Sequence, residues 1–331
     1  MQTKDNVLIF GELLLRLSSA AEHFIASDQA VSIYPGGSEA NVAASLGQWG
    51  IPVSYLSCVP DNPLTSNVLS YLEELNVDIS KTIKAEGRLG LYFLLSANGL
   101  SSGEVVYDRK HSSFSNLKPG TIDWNEVMKG HTWFHWTAIT PALSEHAALL
   151  CQEALQAARA NNLTISVDLN YRSRLWDYGK EPIVVMPGLV DHCDVVMGNI
   201  WAASKMLGTS INSSVGRHTS VDDLRMEAAK CATEIFDLFP RCKHIAQTFR
   251  FMDQPTHNLF HGTYHNREGH YHSPVHETQR VVDRIGSGDA FMAGFIAALL
   301  SNAGGQKIAE YATNAGYQKL FVKGDFGNGT I

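Results

Sequence analysis

The chain has 331 residues, 44% hydrophobic and 18% charged, with a formal net charge of −7. Such a chain can bury a sizeable core without staples, and its negative balance excludes a nucleic-acid partner for the chain as a whole. Five cysteines, Cys58, Cys151, Cys193, Cys231 and Cys242, form no C-x-x-C spacing, which argues against a disulfide framework or zinc ribbon and for reduced, buried thiols.

Val7 to Phe10 is a short apolar run ending at Gly11 and reads as a buried first strand, not as a signal peptide. No run approaches the roughly 18 apolar residues of a membrane span, so a cytoplasmic location with no membrane partner is expected. Gly36-Gly37-Ser38-Glu39-Ala40-Asn41 opens an Ala-rich segment with Val42, Leu46 and Trp49 at helical spacing, closed by Gly50 and Pro52. Val53 to Val59 reads as one strand and Asn67 to Leu75 as a helix. Leu89 to Ser96, a Gly/Ser turn over 97–103, and Val105 to Tyr107 make a hairpin signature that projects as a lid.

From Trp133 onward strands and helices alternate. Strands are expected at Trp133–Thr137, Leu163–Leu169, Val195–Met197 and His244–Thr248. Helices are expected at Ser144–Arg159, with Ser144 as N-cap, and at Val221–Phe236; Pro187 to Leu189 begins a short helix or turn. The alternation implies a mostly parallel sheet flanked by helices. One core domain over 1–331, with a small β lid, is the expected organisation.

Arg280 to Asp283 is extended in character, Gly286-Ser287-Gly288 follows, and Asp289 to Leu300 is apolar and helical in pattern. Two uses are open to such a turn. It can be a tight turn before a core helix, with Asp289 complementing the helix dipole. It can also be an anion cradle of free N–H groups, with Asp289 placed to accept a hydroxyl proton. No GxxxxGK[ST] string occurs, and the GxG here lacks the third glycine of a dinucleotide fingerprint.

Asp283-Arg284-Ile285-Gly286-Ser287-Gly288-Asp289-Ala290-Phe291 resembles the C-terminal D-T-x-G-A-G-D-x-F signature of PfkB (ribokinase-like) carbohydrate kinases, and Gly36 to Asn41 resembles their G-G-x-x-x-N segment. Within that family the likeness is greatest to 2-keto-3-deoxygluconate kinases. It rests on Gly90-Leu91-Tyr92, Val106 to Lys110, Ile139 to Ser144, Asp168 to Arg172 with Trp176, and Lys323-Gly324-Asp325. The resemblance implies a ribokinase-like three-layer α/β/α core, with lid segments near 12–34 and 88–116. It implies ATP and Mg2+ as cosubstrates and a sugar acid as acceptor.

By the same resemblance Asp289 is the base, with the Gly286, Ser287 and Gly288 backbone as anion hole. Gly37, Asn41, Tyr92, Tyr107, Arg109, Arg172 and Asp325 hold the sugar. Asn170, Asn199, Thr248, Arg250, Gly286, Gly288 and Asn314 serve the nucleotide, and no protein metal site is expected. Lid hairpins of the family form dimer contacts, which implies a homo-oligomer by analogy. Independently, an acid substrate calls for a fixed cation, and a guanidinium can hold a carboxylate with two parallel bonds; Arg109 and Arg172 suit that role.

Three segments depart from the family pattern. Asn199-Ile200-Trp201-Ala202 lacks the glutamate of N-x-x-E, Thr248-Phe249-Arg250-Phe251 lacks the glycines of a nucleotide loop, and Arg284 stands where threonine is usual. Arg284 is expected to face solvent. Six histidines between His257 and His276 are read as a solvated hairpin, with Thr263–His265 and His270–His272 as strands. Trp133, Phe134 and Trp136 read as core or lid-facing aromatics. The leading expectation is ATP-dependent phosphorylation of 2-keto-3-deoxygluconate to its 6-phosphate. The alternatives are a fructokinase-like enzyme of the same family, or a non-catalytic sugar- or nucleotide-binding protein on its scaffold.

Overall fold

The computed structural model describes residues 5–19, 30–95 and 105–331. Strand β1 (Val7–Phe10) is buried on both faces, with Val7 and Ile9 in one core and Leu8 and Phe10 in the other. The chain then leaves for β2 (Leu14–Ser19) and β3 (Val31–Gly36). Helix α1 (Ser38–Gln48) starts after Gly37, at φ 120°, where a Cβ would stand 2.3 Å from the Glu12 carbonyl oxygen; only glycine fits there.

The single strand expected over Val53–Val59 is two, β4 (Val53–Leu56) and β5 (Cys58–Val59), which pair in different sheets. The break falls at Ser57, whose hydroxyl accepts the Leu13 N–H at 3.2 Å. Helix α2 (Pro63–Glu74) begins earlier than its apolar spacing suggests. Asn62 caps the Thr65 N–H at 2.9 Å and Pro63 takes the first helical position. Short β6 (Val77–Asp78) and β7 (Ile83–Lys84) precede β8 (Gly90–Leu94), β9 (Val105–Asp108) and α3 (Trp124–Met128).

The alternating half then follows: β10 (Trp133–Thr137), α4 (Ile139–Ala142), α5 (Glu145–Ala160), β11 (Thr164–Asp168), α6 (Pro182–Val190), β12 (Val195–Gly198), α7 (Ile200–Leu207), α8 (Val221–Leu238) and β13 (His244–Phe251). Ser144 caps the Ala147 N–H at 3.1 Å, as its position predicts. Trp133, Phe134 and Trp136 are core residues. The chain ends with β14 (Asn258–Asn266), β15 (Gly269–His272), β16 (His276–Thr278), α9 (Ser287–Leu300) and α10 (Gly305–Lys319). Arg280 to Asp283, expected to be extended, forms no strand.

The large sheet has the order β15-β14-β13-β12-β11-β10-β1-β4-β6, with β16 beside β14. It is parallel from β6 through β13, and only β14 to β16 add antiparallel pairs at one edge. One core packs α1, α2, α9 and α10 on one face; the other packs α3, α5, α6, α7 and α8 on the opposite face. Strands covered on both faces explain why these segments read as continuous apolar runs. The ribokinase-like three-layer architecture expected from the sequence is therefore present. Among the described residues no helix is long and apolar enough to cross a membrane, and all five cysteines are free and buried.

A separate four-stranded sheet, β3-β2-β8-β9, is the expected lid. Its β8–β9 pairing is antiparallel, while β2–β8 is parallel. The turn expected over 97–103 and the lid residues 20–29 lie outside the described residues.

Two further expectations fail. The histidine run is not solvated: His257, His261 and His265 are buried. Strand β14 lies between β13 and β15 with β16 alongside, α8 packs against it, and His261 stacks on Phe249 at 4.9 Å. Arg284 does not face solvent. It is 4% exposed and donates to the backbone carbonyls of Pro255 and His257, at 2.5 and 2.8 Å. The loop before β14 supplies the acceptors that let a guanidinium be buried there.

Candidate active site

A cavity of about 430 Å³ opens beneath the lid, over the C-terminal ends of β11 and β12 and the starts of α1 and α9. Ligands of open α/β sheets bind at such strand ends. Its wall contains every site residue expected from the sequence except Asn314. Asn314 lies on α10 and accepts from Gln318 at 3.5 Å; this structure does not bring it to the cavity.

Asp289 sits in the first turn of α9, which Gly286 opens at φ 81°. A Cβ on Gly286 would lie 2.1 Å from the Asp325 carbonyl oxygen. The first closed helical bond is Ala290 N–H to the Gly286 carbonyl, at 2.8 Å. The Ser287 N–H is drawn toward the Arg284 carbonyl at 3.3 Å, so Gly288 and Asp289 supply the uncommitted helix-start donors. A Cβ at Gly288 would meet only open space, so that backbone is approachable by an anion.

The Asp289 carboxylate accepts the Ser38 hydroxyl at 2.6 Å and the Asn41 amide at 2.7 Å. Asn170 donates to the same Ser38 oxygen at 2.8 Å, which commits the Ser38 proton to Asp289. Burial raises the Asp289 pKa above its ordinary value, against the bonds from Asn41 and Ser38 and the charges of Arg172 and Lys319. Asp168, at the end of β11, is pushed up to about 8 by burial and then by the charge of Asp289. Glu39 lies behind in α1 and accepts from Thr137 at 2.6 Å; burial pushes it up to about 7.

Four arginines, Arg109, Arg172, Arg250 and Arg284, line the cavity. Arg250 donates to the Ser287 hydroxyl at 2.9 Å, tying β13 to the turn that opens α9. Arg172 is exposed and donates to the Tyr171 carbonyl at 3.1 Å. Arg109 is buried, and its Nε donates to Glu12 at 2.6 Å while the Ser112 hydroxyl takes the other Glu12 oxygen. Asn199 lines the cavity and uses its side-chain oxygen to cap the Ala202 N–H at 2.8 Å. The Tyr92 hydroxyl donates to Asp325. Asp325, pushed up to about 7 by burial, is also paired with Arg16 at 3.2 Å.

Sequence reasoning grouped Asn41 with the sugar, whereas here its amide holds Asp289. It did not single out Ser38, Asp168, Glu12 or Arg16. Ser38 had a signal, since it stands inside the Gly-Gly-Ser-Glu-Ala-Asn segment beside two residues that were chosen. Arg16 and Glu12 had none, because their partners are distant in sequence.

The fold and this constellation define a sugar kinase of the phosphotransferase class. The description "pfkB family carbohydrate kinase" matches residues 4–233 and 261–326, and the chain belongs to that family. A 2-dehydro-3-deoxygalactonokinase of Haloferax volcanii is 27% identical over 96% of this chain and 92% of its own. A crystal structure of 2-dehydro-3-deoxygluconokinase from Thermotoga maritima superposes with a TM-score of 0.88 at 32% identity, covering 98% of this chain and 96% of that one. An E. coli putative ribokinase II, in complex with ATP and Mg2+, shares the fold with a TM-score of 0.74 at 17% identity, covering 98% of this chain and 96% of that one.

Proposed function

We propose that the chain transfers the γ-phosphoryl group of ATP to the terminal hydroxyl of 2-keto-3-deoxygluconate, forming the 6-phosphate. The observation that carries this reading is the head of α9. There Asp289 is held by Ser38 and Asn41 beside an open helix start, in one cavity with Arg109 and Arg172.

Asp289 takes the hydroxyl proton as the sugar oxygen attacks phosphorus. Ser38 and Asn41 orient its two oxygens, and burial keeps it more basic than an exposed carboxylate. The N–H groups of Gly288 and Asp289 and the α9 dipole stabilise the transferring group, with Gly286 and Ser287 shaping the turn. Arg250 meets phosphate charge, and Asn170, Asn199 and Thr248 contact the nucleotide. Gly37, Tyr92, Tyr107 and Asp325 bound the sugar, and Arg109 and Arg172 take its carboxylate.

Bound Mg2+ supplies countercharge to the polyphosphate. Asp168 and Asn199 both line the cavity, and their carboxylate and amide oxygens are donors of the kind a hard divalent ion takes. Asp168 and Asn199 would hold it where the N-x-x-E glutamate is absent.

The test is ATP consumption with 2-keto-3-deoxygluconate, its C4 epimer and fructose, for wild type and Arg172→Ala. The expected result is turnover of the keto-deoxy acids. Arg172→Ala should lower kcat/KM for the acids about tenfold or more, the scale of one lost charge-assisted bond, without affecting fructose. Fructose as the better substrate would identify a fructokinase-like enzyme. Sugar binding without any turnover would identify a non-catalytic binder.

A further inference from the structure

The lid carries one row of side chains across its four strands. Tyr34 pairs in register with Arg16, Arg16 with Tyr92, and Tyr92 with Tyr107. Tyr92 and Tyr107 face the cavity, whereas Arg16 is fully buried behind its wall. The Arg16 guanidinium lies over the Tyr34 ring, 4.4 Å from its centroid.

Arg16 leaves the lid to grip the anion turn. Its Nη1 and Nη2 donate to the two oxygens of Asp283 at 3.3 and 2.6 Å, and Nη1 also meets Asp325 at 3.2 Å. Asp283 in turn accepts the N–H of Ile285 and the N–H of Gly324, both at 3.0 Å. One carboxylate thus pins the first residues of the turn that ends in Asp289, together with the segment carrying Asp325. Asp325 closes the circuit, because it accepts the Tyr92 hydroxyl. Its carboxylate would lie 2.2 Å from a Cβ on Gly36, and its carbonyl oxygen 2.1 Å from a Cβ on Gly286. Lid, anion turn and C-terminal segment therefore meet with no slack at one guanidinium.

We propose that Arg16 is a positioning residue that couples the sugar-facing row of the lid to the phosphoryl-facing turn. It touches neither substrate; it fixes Asp283 and Asp325, and through them the placement of the Gly288 and Asp289 donors relative to Tyr92. A planar fork can bridge two carboxylates where a point charge such as the nearby buried Lys319 cannot, and among the described residues no other arginine pairs with Asp283 or Asp325. Misplacement of reacting groups by about 1 Å can cost on the order of 10²-fold in rate.

The inference rests on the kinase reading. Its test uses whichever sugar the wild type phosphorylates, so a wrong acceptor does not affect it. Arg16→Ala is assayed for thermal stability, kcat and sugar KM, with and without added guanidinium ion. The expected result is a folded protein at 25 °C with kcat lowered about 10- to 100-fold, restored about fivefold or more by guanidinium, while Asp289→Asn shows no such rescue. Arg16→Lys keeps the buried charge, so it supplies the test if the alanine variant does not fold; kcat about fivefold or more below wild type is expected. Wild-type kcat in either folded variant, or a loss in the alanine variant that guanidinium does not restore, overturns the proposal.

Discussion

Replacing Asp289 by asparagine tests the assigned base with little disturbance elsewhere. The carboxylate now accepts two bonds, from Ser38 at 2.6 Å and from Asn41 at 2.7 Å. In the variant the amide oxygen keeps the Ser38 bond, and its NH2 group faces the Asn41 NH2 group. The Asn41 side-chain oxygen is buried and has no partner among the described residues, so a flip of that amide presents an acceptor and restores the second bond. Both charge-assisted bonds become neutral ones, a loss of about 1 kcal/mol each, and removal of a desolvated charge offsets part of it. Folding and sugar affinity should thus stay near wild type. The amide cannot take a proton, and loss of a general base costs about 10²- to 10⁴-fold in kcat, or about 3–5 kcal/mol of barrier. Coupled measurement of ADP release, with calorimetric titration of sugar, separates the two effects. A kcat within tenfold of wild type, in a variant that binds sugar normally, would falsify the assignment.

Three other changes probe the site's supports. Gly286→Ala places a side chain at φ 81° and 2.1 Å from the Asp325 carbonyl oxygen; a stability loss of about 2–4 kcal/mol and a kcat loss of about tenfold or more are expected. Wild-type melting would contradict it. Glu39 has a folded pKa of about 7 against an ordinary 4.5, so the stability it contributes is full below pH 4.5 and is lost as pH rises through about 7. Glu39→Gln should therefore raise the stability of the ligand-free protein at pH 8, by up to about 3 kcal/mol, and change it little at pH 4. Urea melts showing equal effects at both pH values would rule this out. Glu12→Gln weakens the partner that holds Arg109 by Nε at 2.6 Å. The KM for a sugar acid should rise about three- to tenfold, and equal changes for fructose in steady-state assays would show that the pair is merely structural.

The architecture was legible because its signals are local. Apolar runs between helix-period segments imply strands buried on both faces, and β1, β10 and β12 are so buried. Ser144 capped its helix because a cap needs only a residue three positions on. Gly286, Gly288 and Asp289 were legible together because a helix start, a left-handed glycine and a first-turn acid are neighbours in the chain.

What tertiary structure decided has long range as its common cause. Ser38 and Asn41 meet Asp289 across 251 and 248 residues, and Arg16 meets Asp283 across 267. No periodicity encodes such pairings. The same reason explains the errors. Arg284 and the histidines of β14 carry polar side chains that read as solvated, yet a carbonyl-rich loop, the flanking strands and α8 bury them. The sequence by itself determined where a glycine turn opens a helix and which acid stands in its first turn. Only the folded chain decided what holds that acid, and which buried arginine ties it to the lid, because those contacts exist only where distant segments pack together.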